Sequence, residues 1–270
     1  MEQILQTAIT AAKGAGDAIV NASHDLSSLT IEEKSINDFV SEVDRLAETI
    51  ISDIIQSTYP DHSILGEEFG NSMGAADYAS SEYKWIIDPL DGTTNFLRGI
   101  PHYAVSIALV RGAEVIVGVV YDPAKSELYT AVRGQGALLN GQQIACSSQA
   151  GIQGALLATG IPFSGELLAR VDQFSEAMQL LLAHQTSGVR RLGAAALALC
   201  YVAAGRFDGF WEASLKPWDI AAGALIVQEA GGLVSDFDGV DCYLESGNIV
   251  ACAADMHKPM QEIVHNAYKQ

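Results

Sequence analysis

Two carboxylates separated by Pro-Leu mark the stretch with the most chemical promise, Trp85-Ile86-Ile87-Asp88-Pro89-Leu90-Asp91-Gly92-Thr93-Thr94-Asn95-Phe96. Its apolar start reads as a strand that ends by delivering Asp88 and Asp91 to a turn, and Gly-Thr-Thr-Asn can open a helix. Pro89 fixes its own φ and biases Asp88 towards an extended backbone, so the pair can present oxygens to one or two hard cations, for which Mg²⁺ is suited. Gly92 lets the backbone approach a ligand, and the first-turn amides of Gly92, Thr93 and Thr94 offer donors to a phosphate oxygen. The same residues also fit a plain polar turn with an N-cap, and this stretch alone leaves both readings open.

Further carboxylates stand at element ends. Glu67 and Glu68 follow Ser63-Ile64-Leu65-Gly66, a short strand entering a glycine-flanked loop, and alternation along a strand turns only one of them to any given site. Asp219 falls at the start of a helix, and Asp44 in the first turn of another, beside its apolar stripe. Two hard cations about 3.5–4 Å apart need several such oxygens, and together they clamp a phosphoryl group and make water nucleophilic near neutral pH. No Ser or Cys stands in a recognisable nucleophile elbow. The six histidines, His24, His62, His102, His184, His257 and His265, lack metal-binding spacing and read as surface or structural.

Elements that could position these groups follow from periodicity. Residues 2–22 form an amphipathic helix, and after a strand from Ile31 into a polar loop, residues 41–58 form another, turning Val43, Leu46, Ile50, Ile51, Ile54 and Ile55 inward. Residues 71–82 read as a polar loop. Strands at 105–110, 115–121 and 127–132, joined by short turns, make an antiparallel sheet. Beyond Gly151 come a strand at 155–160, a helix at 167–184, a strand at 189–192 and a small-residue helix at 193–204 closed by Gly205. A strand at 207–212, the Asp219 helix ending at Gly231-Gly232, strands at 233–236 and 248–252, and a terminal helix from Met256 complete the chain. The expected organisation is one compact α/β (α+β) unit: residues 1–150 carry the main metal and phosphate motifs, and 151–270 complete the site.

With 270 residues, 49% of them hydrophobic, the chain can build a large core. Lys+Arg 15 against Asp+Glu 33 gives a formal net charge of -18, which repels a phosphate backbone, so direct nucleic-acid binding is not expected. An acidic protein that handles phosphate needs cations in its site. Cys146, Cys200, Cys242 and Cys252 show no CxxC spacing and are expected to be reduced thiols. The N-terminus lacks a signal-peptide pattern and no segment reaches the roughly 18 apolar residues of a membrane span, so a cytoplasmic protein without a membrane partner is expected.

Gly66-Glu67-Glu68, the 85–96 stretch and Lys216-Pro217-Trp218-Asp219-Ile220-Ala221-Ala222-Gly223 with Glu229-Ala230-Gly231-Gly232 resemble, in order, the signature regions of the inositol monophosphatase family. Arg190-Arg191-Leu192-Gly193 through Gly209-Phe210-Trp211-Glu212 looks most like its bacterial SuhB-type branch. The resemblance implies a layered α-β-α-β-α sandwich of the inositol monophosphatase and fructose-1,6-bisphosphatase type. It implies Mg²⁺-dependent hydrolysis of a phosphate monoester, foremost inositol-1-phosphate, by in-line attack of water, with two or three ions and sensitivity to lithium.

By the same resemblance Glu67, Asp88 and the Leu90 carbonyl match ligands of a first metal, and Asp88, Asp91 and Asp219 those of a second, with Glu68 at an outer site. Glu67 and Thr93 match the groups that orient and deprotonate water, and Asp44 the one that holds the Thr93 hydroxyl. Gly92, Thr93 and Thr94 match the phosphate grip; Asp91, Gly193, Ala195, Glu212 and Asp219 match substrate contacts. Trp218 reads as core. Lys34 fits either a charge at the site or surface, and the loop after it is a residue shorter than in animal members. A homodimer is implied. Histidinol phosphate, fructose-1,6-bisphosphate, NADP and 3′-phosphoadenosine nucleotides are alternative substrates, and a SuhB-like regulatory binding protein is the alternative class. Glu212, an acceptor for sugar hydroxyls, favours a neutral polyol.

Overall fold

A computed structural model describes residues 1–35, 38–73, 81–162 and 165–269. Helix α1 (Glu2–Ser23) buries Ala8, Ala11, Ala12, Ala15 and Ile19, spaced to form one stripe. Strands β1 (Ile31–Ser35) and β2 (Asp38–Ser41) pair antiparallel, so the expected polar loop is in part a second strand; residues 36–37 and the Lys34 side chain lie outside what is described. Ser41 then caps α2 (Glu42–Thr58). Strands β3 (Ser63–Gly66), β4 (Gly70–Met73) and β5 (Tyr83–Asp91) follow, then the short α3 (Thr93–Leu97). Residues 71–73, expected in a loop, are strand; 74–80 fall outside the described residues. Strands β6 (Ala104–Arg111), β7 (Glu114–Asp122), β8 (Glu127–Val132), β9 (Ala137–Leu139) and β10 (Gln142–Ile144) finish a sheet ordered β10-β9-β8-β7-β6-β5-β3-β4. All its pairs are antiparallel except β3 with β5.

The second sheet takes its strands from residues 156–253. It comprises β11 (Leu156–Thr159), β12 (Gly188–Arg190), β13 (Gly209–Glu212), β14 (Gly232–Ser235) and β15 (Ile249–Ala253), ordered β12-β11-β13-β15-β14. Helix α4 (Val171–Ala183) is preceded by a 3₁₀ turn, Gly165–Arg170, so the expected start at 167 is not α-helical. Helices α5 (Ala195–Ala203), α6 (Pro217–Glu229), the single-turn α7 (Tyr243–Ser246) and α8 (Ala254–Tyr268) complete the order.

Three apolar cores separate five layers. One lies between α1, α2 and the first sheet, with Ile51, Ile55, Trp85, Ile87, Ile107 and Val119 buried. The central core sandwiches α5 and α6 between the sheets, and the third sets Leu181, Met256, Met260 and Val264 of α4 and α8 against Trp211 and Val250 of the second sheet. The order is α-β-α-β-α. Close approach at the centre requires Gly118 on β7, where a Cβ would come within 2.8 Å of the Ala222 carbonyl of α6. All four cysteines are free thiols. Among the described residues no helix is long and apolar enough to cross a membrane.

Helix α2 corrects one expected face. Leu46 is exposed, whereas Asp44, Ala47, Glu48 and Ser52 are buried beside Val43, Ile51 and Ile55. The buried stripe is rotated towards two carboxylates because both have partners inside: backbone amides for Glu48, and Ser41 and Thr93 for Asp44.

Candidate active site

Asp88 and Asp91 are not on a turn after β5, as expected, but within it. The pairing with β6 shifts between Asp88 and Asp91, and Pro89, which has no N–H to give the ladder, sits in that irregularity. Asp88 is wholly buried; one of its oxygens accepts the Leu90 N–H at 2.9 Å. One Asp91 oxygen accepts Ala196 N–H of α5 at 2.8 Å, and one Asp219 oxygen accepts Lys216 N–H at 2.6 Å in a capping interaction at the start of α6. The charge of Asp219 also bears on Asp88. Each aspartate is therefore anchored through backbone, and three distant segments meet.

The chain then bends sharply at Gly92, whose φ of 94° suits glycine and whose missing Cβ leaves room for the carbonyls of His102 and Gly193. Thr93 opens α3, and its hydroxyl lies 3.0 Å from both the Asp44 carboxylate and the Leu90 carbonyl. Asp44 also accepts from the Ser41 amide and hydroxyl, so it caps α2 and holds Thr93 at once. Asn95 donates to the carbonyls of His102 and Leu192, both at 2.8 Å, fastening Gly193 beside α3.

These groups edge a cleft of about 370 Å³. Glu67, Asp91, Gly92, Thr93, Thr94 and Asp219 line it together with Gly193, Ala195 and Glu212. Arg191 and Lys216 supply the cations at its wall. Asp88 and Glu68 are not among the described lining residues, and Asp44 reaches the cleft through Thr93. Trp218 is partly buried against the central core, as expected.

A profile of the inositol monophosphatase family matches residues 1–269. The chain belongs to that family. Its relatives include the "Nus factor SuhB" of Pseudomonas aeruginosa, 48% identical over 93% of this chain and 92% of that protein. Among solved structures, the extragenic suppressor protein suhB of Bartonella henselae superposes with a TM-score of 0.91 at 38% identity, covering 97% of this chain and 98% of that one. The inositol monophosphatase of Anabaena gives 0.81 at 34% identity, covering 98% and 96%.

For a chain of this family the electrostatics of the cleft are telling. Burial, then the charges of Glu67, Asp91 and Asp219, push Asp88 well above the usual carboxylate range. Asp91 is raised likewise by burial and Asp219. Asp219 is pushed up to about 6 by burial, and Glu212 to about 8 by burial and the Asp219 charge, against the pull of Arg191. Carboxylates packed this way lack positive charge. Among the described residues no three acidic, cysteine or histidine side chains already stand as a preformed metal cage. Yet the donor set fits a hard cation: each aspartate spends an oxygen on an amide, and the described lining residues include no cysteine, methionine or histidine.

Glu48 escaped the sequence-based expectations. Its carboxylate accepts the amides of Glu68 at 2.8 Å and Phe69 at 3.1 Å, just past Glu67. The available signal was its place one helical turn after Asp44.

Proposed function

We propose that this protein is a Mg²⁺-dependent phosphomonoesterase that hydrolyses a small phosphorylated polyol, with inositol-1-phosphate as the first substrate. The observation that carries the proposal is the convergence of Asp88, Asp91 and Asp219, each pinned by a backbone amide and each raised in pKa, beside Glu67 and the Gly92-Thr93-Thr94 turn. Glu67, Asp88 and the Leu90 carbonyl would hold one ion, and Asp88, Asp91 and Asp219 another, with Glu68 at an outer position. Bound there, Mg²⁺ supplies the positive charge that the carboxylates lack and draws electron density from the phosphoryl oxygens.

The chain's own groups then do the rest. Amides at the start of α3 face the phosphate. With its hydrogen bond donated to Asp44 or to the Leu90 carbonyl, the Thr93 hydroxyl offers lone pairs to orient a water; Glu67 takes that water's proton as it attacks phosphorus, the P–O bond to the polyol breaks, and the departing oxygen takes a proton from solvent water. Glu212, in the same cleft, meets the hydroxyls of the leaving polyol, with Gly193 and Ala195 also in the lining.

The test is phosphate release from inositol-1-phosphate, histidinol phosphate, fructose-1,6-bisphosphate and NADP, with and without Mg²⁺, by the native chain and by Asp91→Asn. Mg²⁺-dependent turnover that is fastest on inositol-1-phosphate and abolished by Asp91→Asn is expected. No turnover on any substrate would overturn the proposal.

A second role is supported by the Pseudomonas relative's name, Nus factor. Regulation through a protein partner is compatible with catalysis, and the net charge of -18 favours a protein over a nucleic-acid contact. A homodimer is also proposed, to be checked by light scattering.

A further inference from the structure

Helix α2 carries two buried carboxylates four residues apart, Asp44 and Glu48, and each ends on a different part of the cleft. Asp44 takes the Thr93 hydroxyl. Glu48, with no exposed surface, takes the amide protons of Glu68 and Phe69, one carboxylate oxygen to each. Those two amides belong to the turn between β3 and β4 that presents Glu67 to the cleft. Gly66, at the entrance to that turn, is shaped to this contact: a Cβ there would fall inside the Glu48 carboxylate. A fully buried carboxyl group with two amide donors, seated over a residue without a side chain, is an expensive arrangement to maintain unless the position of the turn matters.

We infer that Glu48 is a positioning residue that, through the Glu68 and Phe69 amides, fixes the Glu67 carboxylate for metal binding, and that α2 acts as the rigid spacer between Glu67 and Thr93. The one-turn separation of Asp44 and Glu48 on a single helix sets the distance between the Glu67 turn and the Thr93 hydroxyl. Neither side chain needs to touch substrate to do this. The inference rests on the metal site proposed above.

Glu48→Gln keeps size and one acceptor but turns an NH₂ group towards the other amide, so the turn loses one tether. Gly66→Ala displaces the carboxylate from the opposite side. Each variant is expected to raise the Mg²⁺ concentration for half-saturation, measured by calorimetry with Mg²⁺ alone, by roughly tenfold or more. Their effects should be strongly non-additive in the double variant, since both break one contact. At saturating Mg²⁺, KM for the phosphate ester should hold while kcat falls. Ile51→Val, a buried change on the same helix, lowers stability but should leave the Mg²⁺ titration unmoved.

Hydrogen exchange supplies a readout independent of metal: the Glu68 and Phe69 amides should lose protection in Glu48→Gln before the rest of the first sheet does. A Glu48→Gln titration superposing on the native one, or retained protection at these amides, would sink the inference. If the native chain itself binds no Mg²⁺, the metal site falls, and the exchange result still decides whether Glu48 holds the turn.

Discussion

Thr93 has one hydroxyl proton and two acceptors 3.0 Å away, so whichever it satisfies, its lone pairs stay available to the cleft. Thr93→Val keeps the shape of the side chain and removes both functions; phosphate release should fall about 10²-fold or more, while Thr93→Ser retains a substantial part of it. The comparison is of kcat at saturating Mg²⁺, and equal rates for Val and native would remove Thr93 from the mechanism. At this scale the sequence exposes groups whose chemistry dictates their type and spacing. Asp88 and Asp91 stand out because Pro89 and Gly92 flank them and an apolar strand leads in. Glu48 does not: an acidic residue on an amphipathic helix looks like solvent-facing charge until its two amide partners, twenty residues downstream, are seen. Leu46 is the opposite case: an apolar side chain at a helical spacing that suits the core, yet the rotated buried face leaves it exposed.

Helix α6 serves the cleft at its start and the scaffold at its end. Helix α6 brings Asp219 to the site and is seated against β7 at Gly118, with backbone rather than flexible side chain in the way. Gly118→Ala should cost about 1–3 kcal/mol by overpacking and lower Tm by a few degrees. Because relief requires α6 to move, Mg²⁺ affinity should drop as well; a loss of Tm with unchanged affinity would show that the helix start is decoupled from its middle. Glu229, at the other end of α6, accepts the amides of Gly134 and Gly136 at 2.8 Å, closing the turn before β9. Glu229→Gln should lower stability by about 1–3 kcal/mol in urea unfolding and leave kcat and KM alone. Asp219 and Glu229 both lie in stretches that carry the family resemblance, so the resemblance marks scaffold and site together and geometry separates them. The meander β6 to β8 and the glycine-closed helices were legible from alternation and breakers. The continuation of β5 through Pro89 was not, since a proline normally argues against mid-strand placement and only the pairing irregularity accommodates it.

Across the whole molecule, the five layers bring residues 44, 67, 88–93, 193–196, 212 and 219 into one cleft, and the charge gathered there must weigh on folding when metal is withheld. Composition made the acid excess plain, but not where it concentrates; that depends on long-range pairing of both sheets around α5 and α6. Glu212 gives the clearest measure. Its carboxyl titrates at about 8 in the fold against an ordinary value of 4.5, so the folded state holds a proton that the unfolded chain has released. Stability from this group is therefore present below about pH 4.5 and lost as pH rises towards 8, at most about 3 kcal/mol by pH 7. Buried histidines act in the opposite sense: His102, held down to about 4 by burial, stays neutral in the fold, which loses stability as pH falls below 6.5. A native profile alone would mix the two. The difference between native and Glu212→Gln cancels the histidines, and in metal-free buffer it should grow against the native chain from pH 5 to pH 8 in urea midpoints. Saturating Mg²⁺ should reduce that growth, because cations beside Asp219 offset the charge that raises Glu212. A pH-independent difference would mean that Glu212 is ionised in the folded protein, and its hydroxyl-accepting role would then operate as a full carboxylate.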